Sequence, residues 1–220
     1  MEENHLTLKT PYVSISDGRR GSYGGSQEWF GRGVLKRYGC GAVALGDVLL
    51  YIQHPGGQVL LQREEYLDYI RKLNMRYVHV LPGMGIPGRF LSVAANVYFR
   101  VKKMPYRASF CSSGKKLKKR VEKSLSEDLP VMLAVGKNLR FWENRGVALY
   151  KRKDGSYVKS SETRGHIVVV TGLLDGYFQV SSWGRKYYIS ADEYLEYTKD
   201  CSSFLIGNIC AVKKKKKGKR

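Results

Sequence analysis

Apolar residues are spaced for helices in the first half of the chain and for strands in most of the second. After Cys40 about a dozen residues carry Asp47 as the only charge, which predicts a buried helix that ends in the turn residues Gln53, His54, Pro55, Gly56 and Gly57. Tyr66, Leu67, Ile70 and Leu73 recur at helical spacing and predict a helix over 64–74, and a further helix is expected over 88–101 with Pro87 at its entrance. Residues 77–81 alternate around His79 and read as a half-buried strand or turn. A strand over 106–111 is followed by a helix from Ser113 and Gly114, in which Leu117, Val121 and Leu125 form one stripe, and Pro130 stops it ahead of a buried strand over 131–136. Two hairpins come next. One turns on Asp154 and Gly155 between 147–152 and 157–160; the other turns on Asp175 and Gly176 between 165–172 and 177–184. Ser190 and Glu193 make a capping box for a helix to about Lys199, and 204–212 closes as a last strand. The class is α+β.

Composition narrows the setting. With 220 residues and 43% hydrophobic content the chain can fill one core. Nothing divides 26–212, so that span is expected as one domain, with 1–25 poorly ordered and 213–220 a basic tail. No apolar run approaches the roughly 18 residues of a membrane span, and the acidic start lacks the features of a secretory signal; the expected location is the cytoplasm. Cys40, Cys111, Cys201 and Cys210 are too few and too unevenly spaced for a disulfide scaffold, and none forms a Cys-x-x-Cys metal pair. Glycines 83, 85 and 88 have the spacing of a dinucleotide loop, but no Asp or Glu follows between Gly88 and Val121 to hold a ribose. Neither cofactor nor metal is expected. The net charge is +20, and seven of those charges lie between Lys213 and Arg220. Such a block is a solvated tail, or it makes non-specific contact with a polyanion: nucleic acid, anionic lipid or acidic cell-wall polymer.

The candidate chemistry centres on Cys40, bracketed by Gly39 and Gly41 at a helix start. Helix N–H groups favour a thiolate there, whereas the plainer reading is a small core side chain. His166 opens the β-branched strand of the second hairpin, and folding that hairpin brings Ser181 or Ser182 within reach of its ring. Gln27 could steady an oxyanion beside the thiolate; a surface glutamine is its plainer reading.

The order of Cys40 on a helix and His166 on a late hairpin resembles that of papain-like cysteine peptidases. Residues 39–44 resemble the nucleophile motif of the branch related to bacteriocin (double-glycine) leader peptidases, and 165–172 its histidine strand; the resemblance spans roughly 26–212. It implies a helical half led by the Cys40 helix, packed on an antiparallel sheet carrying His166. It also implies acyl transfer on a peptide or protein substrate, with Cys40 as nucleophile, His166 as general base and Gln27 at the oxyanion. Two departures stand out. Gln27 lies thirteen residues before Cys40, and Ser181 and Ser182 occupy the strand where that family has an orienting Asn or Asp. A thiolate–imidazolium pair in a weak enzyme is one expectation. A retired scaffold that binds peptides or polyanions is the other. The oligomeric state is left open.

Overall fold

The computed structural model of the chain describes residues 5–18, 20–111, 116–135, 146–201 and 208–215. In chain order the first half supplies strands β1 (Leu6–Thr7) and β2 (Ser14–Ser16), a 3-10 turn over Gln27–Trp29, and helices α1 (Val34–Tyr38) and α2 (Cys40–Gln53). Strand β3 (Leu60–Gln62), helix α3 (Arg63–Leu73) with a π turn over Asn74–Val78, and helix α4 (Gly88–Val101) follow. The second half runs β4 (Tyr106–Cys111), α5 (Lys116–Ser126), β5 (Val131–Val135), β6 (Val147–Lys153), β7 (Ser156–Thr163) and β8 (His166–Leu174). It ends with β9 (Tyr177–Ser182), β10 (Arg185–Ser190), α6 (Ala191–Cys201) and β11 (Ile209–Lys214).

A central antiparallel sheet in the order β4-β11-β5-β8-β9-β10-β6-β7, with β1 added beside β8, separates two apolar cores. Period-two alternation sorts the strands between them. Met132, Ala134, Ile167 and Val169 face α2 to α4, and Val131, Leu133, Val168 and Val170 face α5 and α6. This is an α+β fold with the helical half on the sheet, as expected. Every α2 residue from Gly41 to Ile52 is buried, so the helix lies against β8 with its first turn at the strand's His166 end. The α3 positions Tyr66, Leu67, Ile70 and Leu73 and the α5 stripe of Leu117, Val121 and Leu125 are buried as their spacing predicts. Asp154-Gly155 and Asp175-Gly176 form the two foreseen hairpin turns, with positive φ at all four residues.

Several expectations are corrected. The described part of 1–25 is built into the fold: β1 pairs with β8, β2 pairs with β3, and Tyr12, Val13 and Ile15 are core residues. Its apolar residues are too few for a helical or strand period yet enough to cover α2. Of the two readings of His79, strand or turn, the turn holds: it caps the π turn with φ 53°. Beyond Ser182 the chain turns at once on Trp183-Gly184 into β10, a strand absent from the sequence reading. The last strand reaches Lys214, so Lys213 and Lys214 are ladder residues opposite Arg107 and Tyr106, not tail. The expected starts at Ser113 and Phe204, and residues 216–220 of the basic tail, lie outside the described residues. Cys40, Cys111 and Cys210 are thiols. No described helix is long and apolar enough to cross a membrane.

Candidate active site

Gly39 ends α1 and Cys40 opens α2 immediately, so the thiol sits on the first turn of the most buried helix. The backbone N–H groups of Ile167, Gly41 and Cys40 are the groups that favour a charged sulfur there. Ile167 follows His166 directly on β8, and Cys40, His166, Gln27, Ser181, Ser182 and Trp183 all border one cavity of about 10 Å³, room for a single water. The structure thus brings together all five residues singled out from the sequence.

Three points define their individual placements. First, Ser182, not Ser181, meets the histidine: His166 Nε2 and Ser182 Oγ are hydrogen-bonded at 2.8 Å. Ser181 pairs across the ladder with Val169, which faces α2, and its hydroxyl donates to the Tyr23 carbonyl at 2.7 Å. Strand alternation separates the two serines. Second, one Nε2–H of Gln27 is held by the Lys36 carbonyl at 3.1 Å, while its Oε1 is buried without a partner. A second amide N–H remains for other work. Gln27 reaches the cavity because Ser26 caps the 3-10 turn, its hydroxyl accepting from Glu28 N–H at 3.2 Å.

Third, burial works against a thiolate–imidazolium pair. Burial pushes the Cys40 thiol up, outweighing the three N–H groups that pull it down, and burial lowers His166 to about 4. Neither change is compensated by a carboxylate on the histidine, since Ser182 brings no charge. Burial thus favours the neutral thiol beside a neutral imidazole.

Two features were missed in the sequence. Trp183 stacks on the His166 ring, centroids 4.2 Å apart and planes 9° from parallel. It does so from a type I′ turn that puts it at φ 49°, beside Gly184 at φ 71°. Positive φ is costly for a bulky residue, by about 1–2 kcal/mol, and the surrounding contacts must offset it. The only sequence signal was the Trp-Gly pair. Asp47, two turns after Cys40 on α2, also borders the cavity. Its carboxylate accepts from Tyr66 Oη at 2.6 Å, Gly25 N–H at 2.9 Å and Tyr12 Oη at 3.4 Å, yet burial still raises it to about 6. Gly24 (φ 74°) lets the N-terminal segment pass: a Cβ there would lie 2.3 Å from Ser181 Oγ and 2.5 Å from Asp47 Oδ2. Outside the cavity, one groove runs between Trp29, Trp183 and Tyr187, and another follows Arg32, Lys36 and Arg37.

No family model and no curated protein matches the chain. Among solved structures it is similar to a crystal structure from Bacillus anthracis described as a candidate C39-like peptidase. Identity is 13% and the TM-score 0.49, over 97% of this chain and 100% of that one. At that score the likeness is one of broad architecture and adds nothing to the reading of the site.

Proposed function

We propose that the chain is a slow thiol-dependent acyl-transfer enzyme that hydrolyses peptide or isopeptide bonds, in the manner of the bacteriocin leader peptidase-like branch of papain-like enzymes. One observation carries the reading. The Cys40 sulfur lies at the α2 N-terminus, where the Ile167, Gly41 and Cys40 N–H groups favour a thiolate, in one cavity with a histidine whose Nε2 is held by Ser182.

With Nε2–H donated to Ser182 Oγ, Nδ1 is the free basic nitrogen. It takes the Cys40 proton as the sulfur attacks the carbonyl carbon. The carbonyl oxygen gains the electron pair and is met by the Cys40 N–H and the second Nε2–H of Gln27. Collapse breaks the C–N bond and leaves a thioester as His166 returns the proton to the leaving amine; water, deprotonated by His166, then adds to the acyl carbon, the C–S bond breaks, the acid leaves and Cys40 regains the proton. The unpartnered Oε1 of Gln27 is an acceptor for a substrate N–H, so the site offers both halves of an amide's hydrogen bonding. Because the imidazolium formed in this sequence has no anion beside it, turnover is slow.

The second reading, a peptide-binding module on a retired scaffold, rests on the same serine and on the small cavity. Fluorogenic peptides separate the two. The enzyme reading expects release that disappears in both Cys40→Ala and His166→Ala; peptide binding without release in the unaltered protein favours the module.

A further inference from the structure

The outer side of α4 is apolar where a surface helix normally presents polar groups. Phe90, Val93, Val97 and Val101, spaced by three, four and four residues, are 56%, 52%, 42% and 58% exposed. Its opposite side is already spent on the core, through Leu91, Ala94, Ala95, Tyr98 and Phe99. The stripe is therefore not a misplaced core face.

The charged residues around it are basic. From Gly88 to Val121 the chain contains no Asp or Glu. Arg100 is exposed within the stripe, and Lys102 and Lys103 follow Val101 directly. Lys103 adopts φ 52°, a conformation better suited to glycine or asparagine. The β11 ladder adds more from the other end of the chain. Lys214 pairs with Tyr106, which packs into the core beneath α4, and Lys215 N–H donates to the Pro105 carbonyl at 2.8 Å. Lys213 and Arg107, one position along, fall on the opposite face of the sheet. None of Arg100, Lys102, Lys103, Lys214 and Lys215 is paired with a carboxylate among the described residues.

We propose that the α4 stripe, with the basic cluster at its C-terminal end, docks the protein peripherally on an anionic membrane surface. Stable attachment to a bilayer takes two signals, apolar contact and a polybasic patch, and this face joins them. A nucleic acid would use the bases but leave the valines and Phe90 in water. A second copy would set basic rim against basic rim. The net charge of +20 suits an extended anionic sheet, to which the whole molecule is drawn.

The test uses the full chain with vesicles of phosphatidylcholine alone or with about 30% phosphatidylglycerol. Binding is expected to be about tenfold or more stronger on the anionic vesicles and to weaken as salt rises. Lys102→Ala and Lys103→Ala should each weaken it roughly fivefold, and Val97→Asp by about tenfold with an unchanged melting temperature. Phe90→Trp, in an otherwise native chain, should show a blue-shifted emission on anionic vesicles. Equal binding to both vesicle types, or none, overturns the proposal. So does binding that leaves the Phe90→Trp emission unshifted, ignores Val97→Asp and is competed by duplex DNA, because the bases alone would then be at work. All of these readouts are independent of any thiol chemistry.

Discussion

At the residue scale the site depends on what faces His166. Ser182 holds the ring at 2.8 Å without charge, so Ser182→Asp or Ser182→Asn is expected to raise turnover of an activated acyl ester, by up to about tenfold if it recovers about 1.4 kcal/mol. Ser181→Asn should not, because that hydroxyl serves the Tyr23 carbonyl; equal gains from both would contradict the geometry. Acid titration offers a second check. His166 moves from 6.5 unfolded to about 4 in the fold, so between those values only the unfolded chain binds the proton. Its contribution to stability is whole above about pH 6.5 and is lost as the pH falls toward 4, at up to about 1.4 kcal/mol per pH unit. Asp47 runs the other way: raised from 3.8 to about 6, it makes the fold take the proton first, and stability grows as the pH falls through that window. The two slopes oppose each other between about pH 4 and 6. Removing one group uncovers the other: His166→Asn should become more stable on going from pH 6 to 4, and Asp47→Asn less stable. Parallel denaturation curves would show that neither shift is real.

At the element scale Trp183 links a strained turn to the site. Trp183→Gly relieves the positive φ but removes the ring stacked on His166, so its stability should stay within about 1 kcal/mol of the parent while turnover falls several-fold. A large loss of stability with unchanged turnover would make the tryptophan structural only. Elements with a strong period were legible in the sequence: α4 over Gly88–Val101 and β4 over Tyr106–Cys111 match their expected spans residue for residue. So were the turns with Asp-Gly signatures. Trp183-Gly184 was not, since nothing local announces a tryptophan at positive φ; only its stacking partner explains it. The described residues of 1–25 were misread for a related reason. Their order comes from tertiary contacts, Tyr12 on Asp47, Gly24 under Ser181 and Tyr23 against Thr171 and Gln179, and not from any period of their own. Cys40 and His166 were found because residue type and position in the element coincide at both; the burial that disfavours their charged forms was not, because desolvation depends on the surrounding fold.

At the scale of the whole molecule, β1 and β11, from opposite ends of the described residues, both pair into the central sheet, β1 beside β8 and β11 between β4 and β5. Truncation after Val212 removes the pairs Lys213–Arg107 and Lys214–Tyr106 from β11 and should lower the melting temperature by a few degrees, about 2–4 °C for each 1 kcal/mol lost. An unchanged melt would return those lysines to the role of a tail. The fold packs α2 against β8 so that a thiol from the first third of the chain and an imidazole from the last third share one cavity. That juxtaposition is tested most directly by mass-spectrometric mapping of the protein after reaction with a p-nitrophenyl acyl ester. The account predicts a single acyl group on Cys40, formed with a burst of p-nitrophenol and abolished in His166→Ala. Acylation spread over Cys40, Cys111, Cys201 and Cys210, or on Cys40 at the same rate without His166, would contradict it.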